Sequence, residues 1–337
     1  MPARSADAAP VAIEAQRLVS AVADIFKAVG IAAGDAQVVA GDLVAADLEG
    51  IASHGVMLLP MYVERIVKGS VSARSGGEVV SDRGGAIVID AGHALGQLTA
   101  RQAVGLVVAR AREIGIAVAV VRDGFHFGTA GRFARMIAEH NCIGIVLSST
   151  RPLMPAPGGA EAMVGNNPIA VALPSTGEFP VEADMALSAT AMGKIRLAAA
   201  AGQRIPEDWA IDAEGRPTTD PAAAIKGMLL PAAGPKGFGL AFVIDLLCGG
   251  LSDGAIGAEV RPLYGDQGHA VAGGGAERVR PCLRHRSPVR RPVRWRDRRR
   301  RPPALRRSGG TLSLRAFLSG DRRRSLPGRR PLRATRP

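Results

Sequence analysis

Between residues 86 and 174 short, nearly continuous apolar runs alternate with segments of helical period. This pattern constrains the fold more than any other feature of the chain. AIVIDA (86–91), IAVAVV (116–121), IGIVLSS (143–149) and NPIAVALP (167–174) are strand-sized. Between the first two, Ala100, Ala103, Val104, Val107, Val108, Ala111 and Ile114 fall on one helical face, with Thr99 placed to cap it. Thr129 to His140 is a second helical stretch. Strands this apolar must be covered on both faces, so the expected architecture is α/β around a mixed, partly parallel central sheet.

A helical segment precedes this part. Ala15, Leu18, Val19, Val22, Ile25, Phe26 and Val29 keep helical spacing up to Gly30. A second helix is expected over Asp35–Leu48, ended by Gly50, and a third through Leu59, Tyr62, Val63 and Ile66, ended by Gly69. Pro60 fits only in that helix's first turn. GKIRLAAAAGQRIPEDW (193–209) reads as a helix and turn, and GFGLAFVIDLLCGGLS (237–252) as an apolar helix that needs burial. The expected organisation is a helical segment over 12–75, an α/β body over 76–266 and a tail over 267–337.

Charge divides the chain at the same place. The net charge is +13, yet residues from Ala270 onward hold 22 arginines, no lysine and three acids, which leaves residues 1–269 at −6. The body is mildly acidic, as an ordinary cytoplasmic protein is. Three widely spaced cysteines, Cys142, Cys248 and Cys282, suggest neither a disulfide framework nor a metal knuckle. The N-terminus shows no apolar h-region, so no signal peptide is expected, and no apolar run is expected to span a membrane.

Four short stretches carry candidate chemistry. No G-x-G-x-x-G follows a strand and there is no P-loop, so a nicotinamide cofactor would not sit on the usual dinucleotide turn. In AAGPKGFGL (232–240), Lys236 and free backbone N–H groups open an apolar helix. That suits a phosphate or carboxylate, or equally an exposed helix start. Ser53 and His54 of SHG lie between helices, as a donor and a titratable group near a substrate carbonyl, or as a simple cap. His126 follows a buried strand between Phe125 and Phe127. It is placed as an acid/base titrating near neutrality, or as a loop histidine packed by aromatics. Asp184 can orient a histidine, bind a ribose hydroxyl, or be a solvated turn acid. No histidine pair has metal-ligand spacing, so no metal is expected.

Taken in order, SHGVMLLPMYVERI (53–66), FHFGTAGRFARMIAEHNCIGIVLSST (125–150), GNNPIAVALP (165–174), DMALSATAMGKI (184–195), IPEDWAIDAEGRPTTDP (205–221) and GPKGFGLAFVIDLLCGGLS (234–252) resemble the malate/L-lactate dehydrogenase family. That family also holds ureidoglycolate, sulfolactate and diketogulonate enzymes and a cyclic-imine carboxylate reductase. The resemblance covers about positions 12–266. It implies a non-Rossmann α/β fold, a homodimer, and NAD or NADP with a small 2-hydroxy or 2-oxo acid substrate. It aligns His126 with the proton acceptor and Ser53 and His54 with a substrate-side pair. Thr150, Asp184, Met185, Ala186 and Lys236 align with cofactor contacts.

The chain departs from the family at three places. Leu58 stands where some members carry a carboxylate-gripping arginine, and Gly124 and Phe125 replace polar residues before the histidine. The third departure is the tail, which includes RSPVRRPVRWRDRRRRPPALRR (286–307). A nucleic-acid arm would bind phosphates, but Trp295 and Phe317 are the only aromatics after Tyr264 to stack on bases. A disordered solubilising tail would mix lysine with arginine. A reading-frame shift near Gln267–Gly275 in a GC-rich gene accounts best for the Arg/Pro/Gly/Ala mixture, and such a segment is expected to be disordered.

Overall fold

The computed structural model describes residues 12–263. The tail expected over 267–337 lies outside them. Three helices lead: α1 (Ala15–Ala28), α2 (Ala33–Leu48) and α3 (Leu59–Val67). Single 3-10 turns, Ala52–His54 and Val56–Leu58, connect the last two. Pro60 does fall in the first turn of α3. Next come β1 (Glu78–Asp82), β2 (Ala86–Asp90), α4 (Gly96–Ile114), β3 (Val118–Arg122), α5 (Ala130–Ala138) and β4 (Gly144–Leu147). The order continues with β5 (Met154–Pro155), β6 (Ala162–Val164), β7 (Ile169–Leu173), β8 (Val181–Met185), α6 (Met192–Ala200), β9 (Ala210–Ile211), α7 (Pro221–Lys226), β10 (Met228–Leu229) and α8 (Pro235–Ser252).

The strands divide into separate sheets. β1–β2–β3 is mixed, with β1 antiparallel to β2 and β2 parallel to β3 across α4. The strand expected at 143–149 joins a second sheet instead, in the order β4–β7–β8 and antiparallel throughout. Pairs β5–β6 and β9–β10 complete the set. β1 and β8 escape the period-2 reading because both are largely exposed on either face. Asp184 therefore sits on a strand and not in a turn.

Thr99 does not cap α4. The helix starts three residues earlier at Gly96, and the Thr99 hydroxyl donates back to the Gly96 carbonyl inside the first turn. The expectation failed because a threonine that bonds backward inside a helix looks the same in sequence as one at a cap.

One core lies under the leading helices, where Phe26, Leu43, Leu58, Tyr62 and Leu95 pack together. It takes in the start of α4, which ties the helical segment to the α/β body. A second core gathers Met154, Val164, Ile195, Leu229 and Ile244. Each large apolar side chain buried this fully contributes about 1.5–3 kcal/mol. With 18 residues of mean hydropathy 1.2, α8 is long and apolar enough to cross a membrane by length and composition, contrary to the sequence expectation. A third of it is buried, with Ala241 and Ile244 in the second core and the carboxylate of Asp245 also inside.

Candidate active site

The turn after α2 holds the first two residues of interest. Asp47 anchors it, accepting the Val56 N–H at 2.9 Å. Glycine at 55 leaves room for this carboxylate, since a Cβ would lie 1.9 Å from Asp47 Oδ1 and would force it to shift. The turn presents Ser53, whose hydroxyl is 3.0 Å from Nδ1 of His54. The His54 ring stacks on that of His126, with centroids 5.4 Å apart and planes inclined by 29°.

His126 arrives on the loop after β3. That loop lies against the first turn of α4 because residue 96 is glycine; a Cβ there would be 2.2 Å from the Phe125 carbonyl oxygen. Tyr62 of α3 brings its hydroxyl to 2.6 Å from His126 Nδ1 and 3.3 Å from the His126 carbonyl oxygen. Gln97 Nε2 donates to the Tyr62 hydroxyl at 3.0 Å. Phe125 meets the Tyr62 ring edge-on at 5.1 Å.

This setting changes the electrostatics expected for the histidines. Burial, helped by the neighbouring His54, pushes His126 down to about 3. It does not titrate near neutrality, because desolvation of the imidazolium outweighs any polar contact in this apolar wall. His54 is also lowered by burial, against an opposing pull from the charge of Asp184. Both rings are therefore neutral at physiological pH, and a neutral imidazole can accept a proton.

Hydrogen bonds connect the segments that carry the candidate cofactor residues. Asp184 Oδ2 accepts the Gly131 N–H at the start of α5 at 2.8 Å, two residues after the loop that carries His126. Met185 is half-exposed at the end of β8, and Ala186 follows it. The next residue, Leu187, bonds back to the Asn166 carbonyl at 2.8 Å. Thr150 donates to the Asn166 side chain at 3.0 Å. On the other side, the Ala232 N–H bonds the Leu187 carbonyl at 2.9 Å, four residues before exposed Lys236. No side chain caps the N-terminus of α8 next to Lys236. An uncapped helix start beside a free ammonium suits a pyrophosphate, and an exposed acid at the strand end suits a ribose hydroxyl, so the donor set fits a dinucleotide.

Sequence reasoning missed Tyr62 as a site residue, and Gln97 and Asp47 altogether. Tyr62 was assigned to the apolar face of α3. Its complete burial was the missed signal, since a buried tyrosine hydroxyl has to find a partner. Leu58 is 2% exposed and packed in the first core, so this chain offers no cation to a substrate carboxylate from that position.

The chain is 36% identical over 248 residues to the L-sulfolactate dehydrogenase of Methanothermobacter thermautotrophicus, covering 74% of this chain and 72% of that protein. It is 37% identical to the NADP(+)-dependent (2R)-3-sulfolactate dehydrogenase of Chromohalobacter salexigens, over 74% of each chain. It is also 37% identical to an NAD(+)-dependent ureidoglycolate dehydrogenase of Escherichia coli, over 68% of this chain and 66% of that one. Among solved structures, sulfolactate dehydrogenase from Methanocaldococcus jannaschii superposes with a TM-score of 0.71 at 34% identity, over 74% of this chain and 72% of that one. The delta1-piperideine-2-carboxylate reductase of Pseudomonas syringae gives a TM-score of 0.71 at 28% identity, over 75% and 76% of the two chains. A sequence model of malate/L-lactate dehydrogenases matches residues 13–276, and the chain belongs to that family.

Proposed function

We propose that the chain is an NAD(P)-dependent oxidoreductase that interconverts a small 2-hydroxy acid and its 2-oxo acid, with His126 exchanging the substrate proton. The observation that carries this reading is the stacking of His54 on His126, with Ser53 bonded to the outer ring. Two neutral imidazoles and a hydroxyl converge where the loop after β3 meets the turn after α2. In oxidation, neutral His126 takes the proton of the substrate alcohol at Nε2, since its Nδ1 faces Tyr62. In reduction, the protonated ring returns it. Ser53 and His54 orient and polarise the substrate oxygen, which stabilises charge without covalent catalysis.

When bound, the nicotinamide supplies the hydride acceptor or donor. Thr150, Asp184, Met185, Ala186 and Lys236 are the residues that would hold the dinucleotide. The helical segment 12–75 furnishes the substrate-side residues, and the body 76–266 furnishes His126 and the cofactor residues. Homodimer formation and a cytoplasmic location belong to the same reading.

Reduction of a cyclic imine carboxylate is a second reading, supported by the likeness to the Pseudomonas syringae reductase. The same proton donor would serve a C=N bond. A panel of malate, lactate, sulfolactate, ureidoglycolate and a cyclic imine carboxylate, each with both cofactors, separates the two. Turnover of a hydroxy acid that is lost in His126→Gln supports the first reading, and turnover of the imine alone supports the second.

We further infer that the residues after about Gln267 are an out-of-frame translation that lowers stability and turnover. The family match stops at residue 276. On α8, Leu240, Phe242, Val243, Leu246, Leu247 and Leu251 are 40–49% exposed, an apolar surface in want of cover. Translation of the coding DNA in the other two frames from position 267 tests this. A family-like continuation is expected, and its absence from both frames refutes the inference.

A further inference from the structure

We propose that Asn167 is a positioning residue for the cofactor, whose buried amide ties the loop that carries Thr150 to helix α8, which carries Lys236. This rests on the reading of Thr150 and Lys236 as dinucleotide contacts.

Residues 165–167, just before β7, bond to each segment that holds a candidate cofactor residue. The Asn166 side chain accepts the Thr150 hydroxyl at 3.0 Å. The Asn166 carbonyl accepts the N–H of Leu187, the residue after Ala186, at 2.8 Å. Asn167 Oδ1 accepts the Thr150 N–H at 2.8 Å, and its Nδ2 donates to the Ala241 carbonyl of α8 at 2.8 Å. Ala241 follows Lys236 along the same helix by about 7.5 Å.

The orientation of the Asn167 amide is forced. A backbone N–H only donates and a carbonyl only accepts, so Oδ1 faces Thr150 and Nδ2 faces Ala241. The two ends meet different needs. Thr150 stands outside any strand or helix, and the amide supplies the acceptor for its N–H. Ala241 lies inside α8, where its carbonyl already serves the N–H four residues on. The helix does not need the second bond, which is therefore a tie between segments.

Ser149 makes another tie, donating its N–H to Cys248 of the same helix. A thiol is a weak acceptor, so the amide carries the firmer link. Asn167 is fully buried, where a satisfied hydrogen bond is strong and an unpaired group is costly. Leucine fills a similar volume with neither polar group. An aspartate keeps the acceptor for Thr150 but turns an oxygen against the Ala241 carbonyl until it is protonated.

The test measures NADH and NADPH binding to the full-length chain by fluorescence titration, for wild type, Asn167→Leu and Asn167→Asp, from pH 6 to 8.5. At pH 8.5 both variants are expected to bind the nucleotide that wild type takes on the order of 10-fold more weakly, the worth of one buried hydrogen bond. Relative to wild type at the same pH, Asn167→Asp recovers as the pH falls. Burial keeps its carboxyl protonated to higher pH, and the protonated group donates to Ala241 again. Asn167→Leu does not recover. A role in packing alone would change the folded fraction and leave the affinity of folded molecules as it was, so a melting curve accompanies each titration. In turnover the KM of the 2-hydroxy acid stays within about twofold, because the change falls on the cofactor side.

Folded variants that bind the nucleotide as wild type does at pH 8.5 overturn the proposal. So does the same pH dependence in Asn167→Leu and Asn167→Asp. Where neither variant folds, amide exchange in wild type decides. Protection at Thr150 that rises on nucleotide binding, together with that of the first turns of α8, supports the proposal; a Thr150 N–H that is unprotected, or unchanged on binding, overturns it. Failure of the underlying cofactor reading shows differently, as wild-type affinity in Thr150→Ala and Lys236→Ala.

Discussion

The Tyr62 hydroxyl stands 2.6 Å from Nδ1 of His126, and this contact joins the helical segment to the loop after β3. It fixes one nitrogen of the ring against α3.

The pH dependence has a definite sign. With His126 held near 3 in the fold, the free enzyme keeps a neutral base through the range where an ordinary histidine charges. The acid limb of kcat/KM for oxidation should therefore lie well below pH 6.5. An anionic substrate beside the ring raises its pKa, so the acid limb of kcat should lie higher than that of kcat/KM. Initial-rate profiles that extend down to about pH 3 measure both.

The same shift bears on stability. Between about 6.5 and about 3 the unfolded chain binds a proton that the folded ring refuses. The contribution of His126 is thus fully present above pH 6.5 and is lost as the pH falls toward 3. His54, also lowered, acts in the same direction. Urea unfolding at pH 7.5 and 5.0 should show a smaller loss for His126→Gln than for wild type.

Gly55→Ala should displace the SHG turn. The new Cβ would fall 1.9 Å from Asp47 Oδ1, and Asp47 cannot retreat without releasing the Val56 N–H. A shift of about 1 Å at a substrate-positioning loop costs on the order of 10²-fold in rate. The expected result is that loss in kcat/KM with intact cofactor binding, read by nucleotide fluorescence titration.

Leu58→Arg should cost stability before it can serve as a carboxylate grip. Position 58 is packed in the core under α3, so an arginine there buries an unpaired cation. We expect destabilisation of about 3 kcal/mol or more. Denaturant unfolding measures it, and no fall in KM for malate should accompany it.

Much of the frame was legible from period alone. The apolar faces of α1, α3 and α5 mark helices, and glycines end the first three where expected. β2, β3, β4 and β7 announce themselves as apolar runs. What escaped has physical causes. β1 and β8 are exposed, so no alternation marks them, and the assignment of β4 and β7 to a sheet of their own depends on long-range pairing that a local pattern does not carry. Thr99 was misplaced because its hydroxyl serves a turn it sits inside. In the site, SHG and FHFG were visible as unusual polar residues in apolar company. Tyr62 and Gln97 were not, because each looks like a helix residue until the fold brings α3, α4 and the loop after β3 together.

The central claim is that His126 exchanges the substrate proton. It is tested most directly by steady-state oxidation of a 2-hydroxy acid by His126→Ala, with and without added imidazole. The account predicts a fall in kcat of roughly 10²–10⁴-fold that imidazole partly restores. Wild-type kcat in His126→Ala, indifferent to imidazole, would contradict it.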